Sequence, residues 1–122
     1  MSSEKCRSAA LRYVAASMRT EGQVEQYLKR REFSDEDIRE SLAMLREYRY
    51  VDDLNYCVIY YKEACRKGKG RRRIEQELIR KKVKKDVIKR ALDELLSDDN
   101  PDYKEIMEEV FTEKKRASIV AS

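Results

Sequence analysis

One short stretch of this 122-residue chain carries nearly half of its positively charged residues. Residues 66–90 contain thirteen Lys or Arg against three Asp or Glu, a local net charge of +10, whereas the whole chain carries only +4. Charge concentrated in this way is evidence about binding partners rather than about fold. Lys- and Arg-rich runs are typical of surfaces that bind nucleic acid. The candidate contact residues are Arg66, Lys67, Lys69, Arg71, Arg72, Arg73, Arg80, Lys81, Lys82, Lys84 and Lys85.

Three consecutive arginines, at 71–73, follow a Gly-Lys-Gly turn and begin a predicted helix. The positive end of a helix dipole disfavours cations, so their position indicates a use beyond stability. Phosphates there would meet backbone N–H groups and arginine forks together. A solvated charged face is the alternative. No base-reading element is identifiable, and we therefore predict contact with phosphates regardless of base sequence.

Three tyrosines, Tyr56, Tyr60 and Tyr61, lie on the preceding predicted helix. An aromatic ring beside a basic surface can stack on a base. The alternative, which the helical spacing favours, is that these rings fill the core and keep their hydroxyl groups at its rim.

Catalytic and metal-binding patterns are missing from the sequence. It contains no histidine, no nucleophile–base spacing and no glycine-rich phosphate loop, so we expect neither an enzyme nor a cofactor. Cys6, Cys57 and Cys65 form no C-x-x-C pair, which together with the lack of histidine argues against a zinc site, and their odd number argues against a disulfide framework. We predict buried free thiols in a reducing compartment. The acidic cluster at 98–102 does not match a calcium loop and fits a charged linker.

Composition favours helices that carry charge on their outer faces. Charged residues make up 43% of the chain, while three glycines and one proline leave few turn signals. No apolar run approaches the ~20 residues that cross a bilayer, and no secretory signal is visible. We therefore expect a soluble, intracellular protein that binds neither a membrane nor a small-molecule substrate.

The first fifty residues predict three helices. Cys6 to Met18 form the first, with Cys6, Ala10, Leu11, Val14 and Met18 on one side. A capping box of Thr20 and Gln23 begins the second, at about 21–31. Ser34 is the predicted N-cap of the third, and acidic residues follow it in the first turn.

The chain then repeats itself at an offset of fifty residues. Val24 matches Ile74 in the second predicted helix, and Ile38 matches Ile88 in the third. The apolar residue between those helices, Phe33, also matches Val83. We predict an all-α tandem of three-helix repeats in an elongated, curved array.

We divide the chain into a first repeat at 1–50, a basic second repeat at 51–99, and residues 100–122 as the opening helix of a truncated third repeat with a mobile tail. Asn100 is the predicted N-cap of that helix and Pro101 its first residue. Within the second repeat, Ile74, Leu78 and Ile79 are predicted to face the core.

Several ordered motifs resemble the bacterial regulatory protein RecX family, whose members modulate the RecA recombinase. They are Ala-Ala-Leu-Arg-Tyr-Val at 9–14, Phe-Ser-Asp-Glu-Asp-Ile at 33–38, Tyr-Val-Asp-Asp-Leu-Asn-Tyr at 50–56, and the glycine-basic turn that runs into Arg-Ile-Glu-Gln-Glu-Leu at 68–78. The resemblance covers roughly residues 5–116. It implies a non-enzymatic, helical, cytoplasmic protein that binds the RecA–DNA filament along its groove and suppresses RecA ATPase, recombinase and coprotease activity. The implied partners are the RecA filament and single- or double-stranded DNA, contacted through phosphates.

The sequence departs from the family pattern at three helix ends. Glu32, Arg49 and Lys82 stand where the family commonly has glycine, which permits a left-handed helix end. Other residues adopt this conformation at a cost of ~1 kcal/mol. Family members also typically carry three full repeats. Two alternatives therefore stay open: a helical DNA- or RNA-binding module without RecA contact, and a scaffold for an acidic protein.

Overall fold

The computed structural model describes residues 2–97, 101, 104–108 and 111, and this part of the chain is helical, with short turns and no strand. The first repeat comprises α1 (Ser2–Ala16), α2 (Glu21–Arg30) and α3 (Asp35–Glu47), and the second comprises α4 (Asp53–Arg66), α5 (Arg71–Arg80) and α6 (Lys85–Leu95). The predicted all-α tandem of three-helix repeats is confirmed.

Each repeat has its own hydrophobic core. In the first, α1 packs on α2 and α3 around Val24, Leu28 and Leu45. In the second, α4 packs mainly on α6, and Ile74 and Leu78 of α5 complete the core.

The predicted helix starts of the first repeat are confirmed by their hydrogen bonds. Thr20 Oγ1 accepts from the Gln23 backbone N–H at 3.1 Å, and Gln23 Oε1 accepts from the Thr20 N–H at 3.0 Å. Ser34 Oγ accepts from the Asp37 N–H at 3.1 Å. These caps satisfy donors that a helix start leaves without an intrahelical partner.

The predicted apolar stripe of α1 is wrong in part. Leu11 is 38% exposed and Met18 46% exposed, and the helix ends at Ala16, whereas Ala9 is fully buried. The first helices of the two repeats correspond at an offset one residue longer than fifty. Cys6 of α1 and Cys57 of α4 are equivalent, since each is buried in the core of its own repeat.

The turn after each first helix gives a physical reason for that shift. Gly68 has a φ of 77° and ends α4, and the Lys69 N–H then reaches back to the Ala64 carbonyl at 3.1 Å. Among the described residues, no such left-handed end follows α1. The turn after α1 and the turn after α4 therefore have different conformations, which shifts the residue correspondence of the first helices by one position.

Met107 contributes to the second core from beyond α6. It is fully buried there, and Phe111 packs against the same cluster. Pro101 is helical, whereas the predicted N-cap Asn100 and the tail at 112–122 lie outside the described residues.

The three helix ends that lack the expected glycine do adopt the left-handed conformation. The φ angles are 66° at Glu32, 57° at Arg49 and 69° at Lys82. After Glu32, the Phe33 N–H bonds to the Leu28 carbonyl at 3.3 Å, which is the hydrogen bond that typically accompanies such an end. The motif is kept, and non-glycine residues bear its steric cost.

Replacing Glu32 with glycine should therefore stabilise the first repeat. We expect Glu32→Gly to raise the free energy of unfolding by about 0.5–1 kcal/mol, because the left-handed conformation no longer strains a Cβ atom. Glu32→Ala is the control, since it removes the same charge but keeps the Cβ. Urea unfolding measures both variants, and equal stabilities would contradict this account.

A small joint connects the two repeats through the first turn of α2. The buried Thr20 hydroxyl donates to the Lys81 carbonyl at 2.6 Å, and the Glu21 N–H donates to Asp53 Oδ1 at 2.9 Å. Partial burial raises the pKa of Asp53 above its ordinary value, although the Glu21 N–H opposes that shift. The start of α2 is thus capped from within the first repeat and again from the second.

Glycine at position 22 is required by the closeness of this joint. A Cβ atom placed on Gly22 would lie 2.3 Å from the Lys82 Cβ and 2.6 Å from the Lys82 carbonyl oxygen. Since part of the obstacle is backbone, a rotamer change cannot relieve the clash.

Gly22→Ala should destabilise the protein, although the same change within a helix is ordinarily favourable. We expect a loss of about 1–3 kcal/mol, because the two repeats must move apart to admit the methyl group. Gln26→Ala, at an exposed position on the same helix, controls for helix propensity. Urea unfolding followed by circular dichroism checks this, and a gain in stability on Gly22→Ala would refute the close joint.

Candidate nucleic-acid interface

The structure divides the predicted cations between different sides of the second repeat. Lys69 and Arg73 converge on Glu77 of α5, and Lys81 lies nearby, beside Tyr60. Arg71 instead pairs with Glu75 at 3.5 Å, one turn along another side of α5. The basic run therefore does not form one uniform patch.

Glu77 is the centre of the first group. Its Oε1 accepts from Lys69 Nζ at 2.7 Å and from the Tyr60 hydroxyl, and Oε2 accepts from Arg73 Nε at 3.2 Å. The Lys69 and Glu77 side chains are only 20% and 17% exposed, so water screens their ion pair less than it would at an open surface. Lys69 and Tyr60 hold the pKa of Glu77 down at about 2. Burial and the Glu77 carboxylate together raise the pKa of Tyr60 to about 12.

Tyr60 has cations around its ring. Lys69 Nζ lies 5.9 Å from the ring centroid and Lys81 Nζ lies 5.6 Å from it, distances at which a ring attracts a cation. The Tyr56 ring lies 6.3 Å away and nearly parallel. Tyr61, in contrast, is fully buried in the core, and its hydroxyl has no hydrogen-bond partner among the described residues. Of the three tyrosines, Tyr61 fits the core interpretation best, and Tyr60 lies at the basic surface.

The remaining predicted cations are exposed. Helical geometry places Arg72 and Arg80 on the outward side of α5, between the Glu77 side and the Arg71 side. Within the described part of the chain, no ion pair is formed by Arg66, Lys67, Arg72, Arg80, Lys82, Lys84 or Lys85. These side chains can meet phosphates without first breaking a bond inside the protein.

Sequence reasoning missed an aromatic and cationic stack in the first repeat. The rings of Tyr13 and Tyr27 are parallel with centroids 4.0 Å apart, and the Arg19 guanidinium lies 4.2 Å from the Tyr13 centroid. Arg31 bonds to the Tyr27 hydroxyl at 2.8 Å and lies 5.6 Å from that ring. The offset of fifty relates Arg19 to Lys69 and Tyr27 to Glu77. The cation before the second helix has its partner on that helix in the second repeat, where Lys69 bonds to Glu77, whereas in the first repeat Arg19 lies over Tyr13 of α1 instead.

Other site chemistries find little support in the described residues. Cys6, Cys57 and Cys65 are free and buried, as predicted, and burial raises the pKa of the Cys57 thiol to about 12. Over residues 2–97, 101, 104–108 and 111, His, Cys, Asp and Glu form no group suited to hold a metal ion. In the same part of the chain, no helix is both long and apolar enough to span a bilayer.

Comparison with protein families gives two adjacent matches. Residues 6–45 match the first three-helix domain of RecX, and residues 52–92 match its second three-helix domain. The chain belongs to the RecX family. The two matched segments correspond to the two repeats seen in the structure.

Several curated RecX proteins are similar over most of this chain. The regulatory protein RecX of Caldanaerobacter subterraneus subsp. tengcongensis is 30% identical over 114 residues, covering 93% of this chain and 57% of the relative. That of Clostridium perfringens strain SM101 is 34% identical over 98 residues, covering 80% of this chain and 44% of the relative. The chain thus spans about half the length of the curated relatives it matches.

Two RecX crystal structures share the fold. One, of a regulatory protein RecX, has a TM-score of 0.70 and 27% identity, covering 89% of this chain and 51% of its own. The other, RecX from Lactobacillus salivarius, has a TM-score of 0.77 and 24% identity, covering 89% of this chain and 67% of its own.

The depressed pKa of Glu77 predicts a pH dependence of stability in this RecX-family chain. An acid whose folded pKa is lowered contributes stability above its ordinary pKa, here 4.5, and loses it as the pH falls toward about 2. Glu77→Gln lacks this contribution. We therefore expect the stability difference between the wild type and Glu77→Gln to be constant above pH ~5 and to shrink toward pH ~2. Urea unfolding over a pH series measures the difference, and a gap independent of pH would contradict the assigned ion pairs.

Proposed function

We propose that this chain regulates the RecA recombinase in the cytoplasm by binding the RecA–DNA filament and lowering its ATPase, recombinase and coprotease activity, without catalytic activity of its own. Membership of the RecX family supports the RecA partner. The observation that carries the DNA contact is the difference between the repeats. Over equivalent segments, residues 23–40 hold four Lys or Arg against six Asp or Glu, whereas residues 73–90 hold eight against three.

The exposed cations of the second repeat are the proposed phosphate contacts. Arg72 and Arg80 lie on the outward side of α5, Arg66 and Lys67 end α4, and Lys84 is the residue at the N-cap position of α6. Because these positions are spread over one side of α5 and the ends of two other helices, they suit an extended nucleic-acid backbone more than a compact ligand. Contact with phosphates at these positions does not require any helix of the second repeat to enter a groove of the DNA.

Lys69 and Arg73 would contribute differently, because Glu77 already holds them. A phosphate must compete with the carboxylate for both cations, and the low pKa of Glu77 keeps that carboxylate charged at neutral pH. These two residues therefore add less to DNA affinity than their charge alone would indicate. Among the residues that the structure describes, Lys82 forms no ion pair and carries no such restraint.

A second candidate function is a nucleic-acid-binding module that acts without RecA contact. Tyr60, with Lys69 and Lys81 around its ring, favours it, because aromatic rings among cations bind single strands in many unrelated folds. The two candidate functions differ in whether the chain binds the RecA–DNA filament more tightly than naked DNA. A RecA regulator binds the filament more tightly than the naked strand, whereas a stand-alone module does not.

The test is RecA ATPase activity on single-stranded DNA. Near-stoichiometric addition of the chain should lower the rate, and the filament should outcompete naked strands of the same DNA for the chain. Unchanged ATPase activity at low salt would remove regulation from the proposal. Equal affinity for filament and naked strand would favour the stand-alone module.

Charge reversal on the outward side of α5 should weaken binding to single-stranded DNA without unfolding the helix. For Arg72→Glu with Arg80→Glu, we expect a loss of affinity and a shallower salt dependence. Each lost phosphate contact lowers the log–log slope by about 0.7. Arg30→Glu, at the position of the first repeat equivalent to Arg80, is the matched control. Fluorescence anisotropy over a salt series measures affinity and slope, and loss of helicity in the double variant would return these residues to a structural role.

A further inference from the structure

A second surface of the second repeat is a groove between α5 and α6. It encloses about 360 Å³, with Ile79 and Ile88 among its lining residues. Lys85 and Lys89, one turn apart on α6, and Arg71 of α5 line it with their charges. Ile79 was predicted to face the core, but it is 41% exposed. The groove therefore combines a large aliphatic side chain open to solvent with several cations.

The first repeat contains the same groove and serves as an internal comparison. There, Lys29 occupies the position of Ile79 and Asp35 that of Lys85. Lys29 forms an ion pair with Glu25 at 3.0 Å, so its groove is lined by charges that neutralise each other. In the second repeat, the partly exposed Ile79 thus stands where the first has an ion-paired lysine, and Lys85 stands where the first has Asp35. The second change does not improve folding, because the helix dipole favours Asp35 in the first turn of α3 and disfavours Lys85 in the first turn of α6.

The chemistry of the groove distinguishes a protein partner from a nucleic acid. A surface that binds phosphates gains affinity from cations. It gains nothing from an aliphatic residue at position 79, where the equivalent residue of the first repeat is a lysine. A buried apolar anchor surrounded by charged contacts is the usual anatomy of a protein interface. Acids are also present, but Glu75 is paired with Arg71, and Asp93 lies one turn beyond Lys89. Lys85 and Lys89 therefore remain available to bind carboxylates of a partner.

We propose that the groove between α5 and α6 binds a protein segment that inserts an aliphatic side chain against Ile79 and Ile88 and places carboxylates beside Lys85 and Lys89. The proposal rests on the proposed function in one respect, since it assigns to this groove the protein part of the filament contact. The outward and Glu77 sides of α5 are left for DNA. The volume suits one aliphatic side chain with part of its backbone rather than a whole helix.

Ile79→Lys tests the groove, because the two kinds of partner respond with opposite signs. The variant carries the residue that the first repeat has at Lys29, and the site is partly exposed, so the chain should fold. A lysine buried against the partner should weaken binding to the RecA filament on single-stranded DNA by about tenfold or more. The same added cation should leave binding to the naked strand unchanged or strengthen it. Gln76→Lys adds the same charge on the same helix outside the groove and should not weaken filament binding.

A second measurement does not depend on RecA. A synthetic peptide with leucine flanked by glutamates is titrated against the methyl-labelled chain, and saturable shifts of the Ile79 and Ile88 methyl signals are expected. The proposal is overturned if Ile79→Lys binds filament like the wild type, or if it weakens naked-strand binding equally. If the wild-type chain binds no filament, the proposed function fails, and the methyl titration alone then decides about the groove. If the Ile79 and Ile88 methyl signals do not shift in that titration, the proposed groove site is rejected.

Discussion

A single carboxylate organises the basic side of the second repeat. Seventeen residues separate Tyr60 from Glu77 and eight separate Lys69 from it, yet both side chains bond to the same oxygen of Glu77. Without that anion, the Lys69 ammonium and the Tyr60 phenol would share a partly buried space with no partner, which is costly. Its presence fixes where the turn after α4 lies against α5, and hence where the arginines of the first turn of α5 point. The low pKa of Glu77 expresses the same interaction as a protonation equilibrium.

The two repeats solve this packing problem with different chemistry on one framework. In the first, the cation before the second helix, Arg19, lies over a tyrosine ring; in the second, Lys69 bonds to a carboxylate. A stacked guanidinium keeps its charge largely uncompensated, whereas Lys69 is neutralised. The second repeat is nevertheless the more basic one, because its additional cations lie where no core contact depends on them. The framework therefore sets the helices, and the surface positions are free to differ in partner chemistry.

Local features of the fold could be predicted from the sequence, and features set by distant packing could not. The caps at Thr20 and Ser34 depend on atoms three residues away, so their residue types suffice. The left-handed ends at Glu32 and Lys82 were indicated by the resemblance to the RecX family, which commonly has glycine at these positions. The phase of α1 did not, because its buried face consists of small residues such as Ala9 and Ala10, which give a weak periodic signal. Periodicity also placed Ile79 in the core, since an amphipathic pattern cannot tell a core position from one that lines an open groove.

The candidate site was predictable in composition but not in arrangement. Charge counting located the cations, yet it treated Lys69 and Arg72 alike, although the first is paired and the second is free among the described residues. Lys81 shows why arrangement matters: its carbonyl accepts the hydrogen bond from Thr20 across the joint, while its ammonium lies near the Tyr60 ring. The joint between the repeats and the basic surface therefore share one residue, which meets the first repeat through its backbone and the Tyr60 ring through its side chain. Charge counting along the sequence sees only the side chain of Lys81 and not the role of its carbonyl.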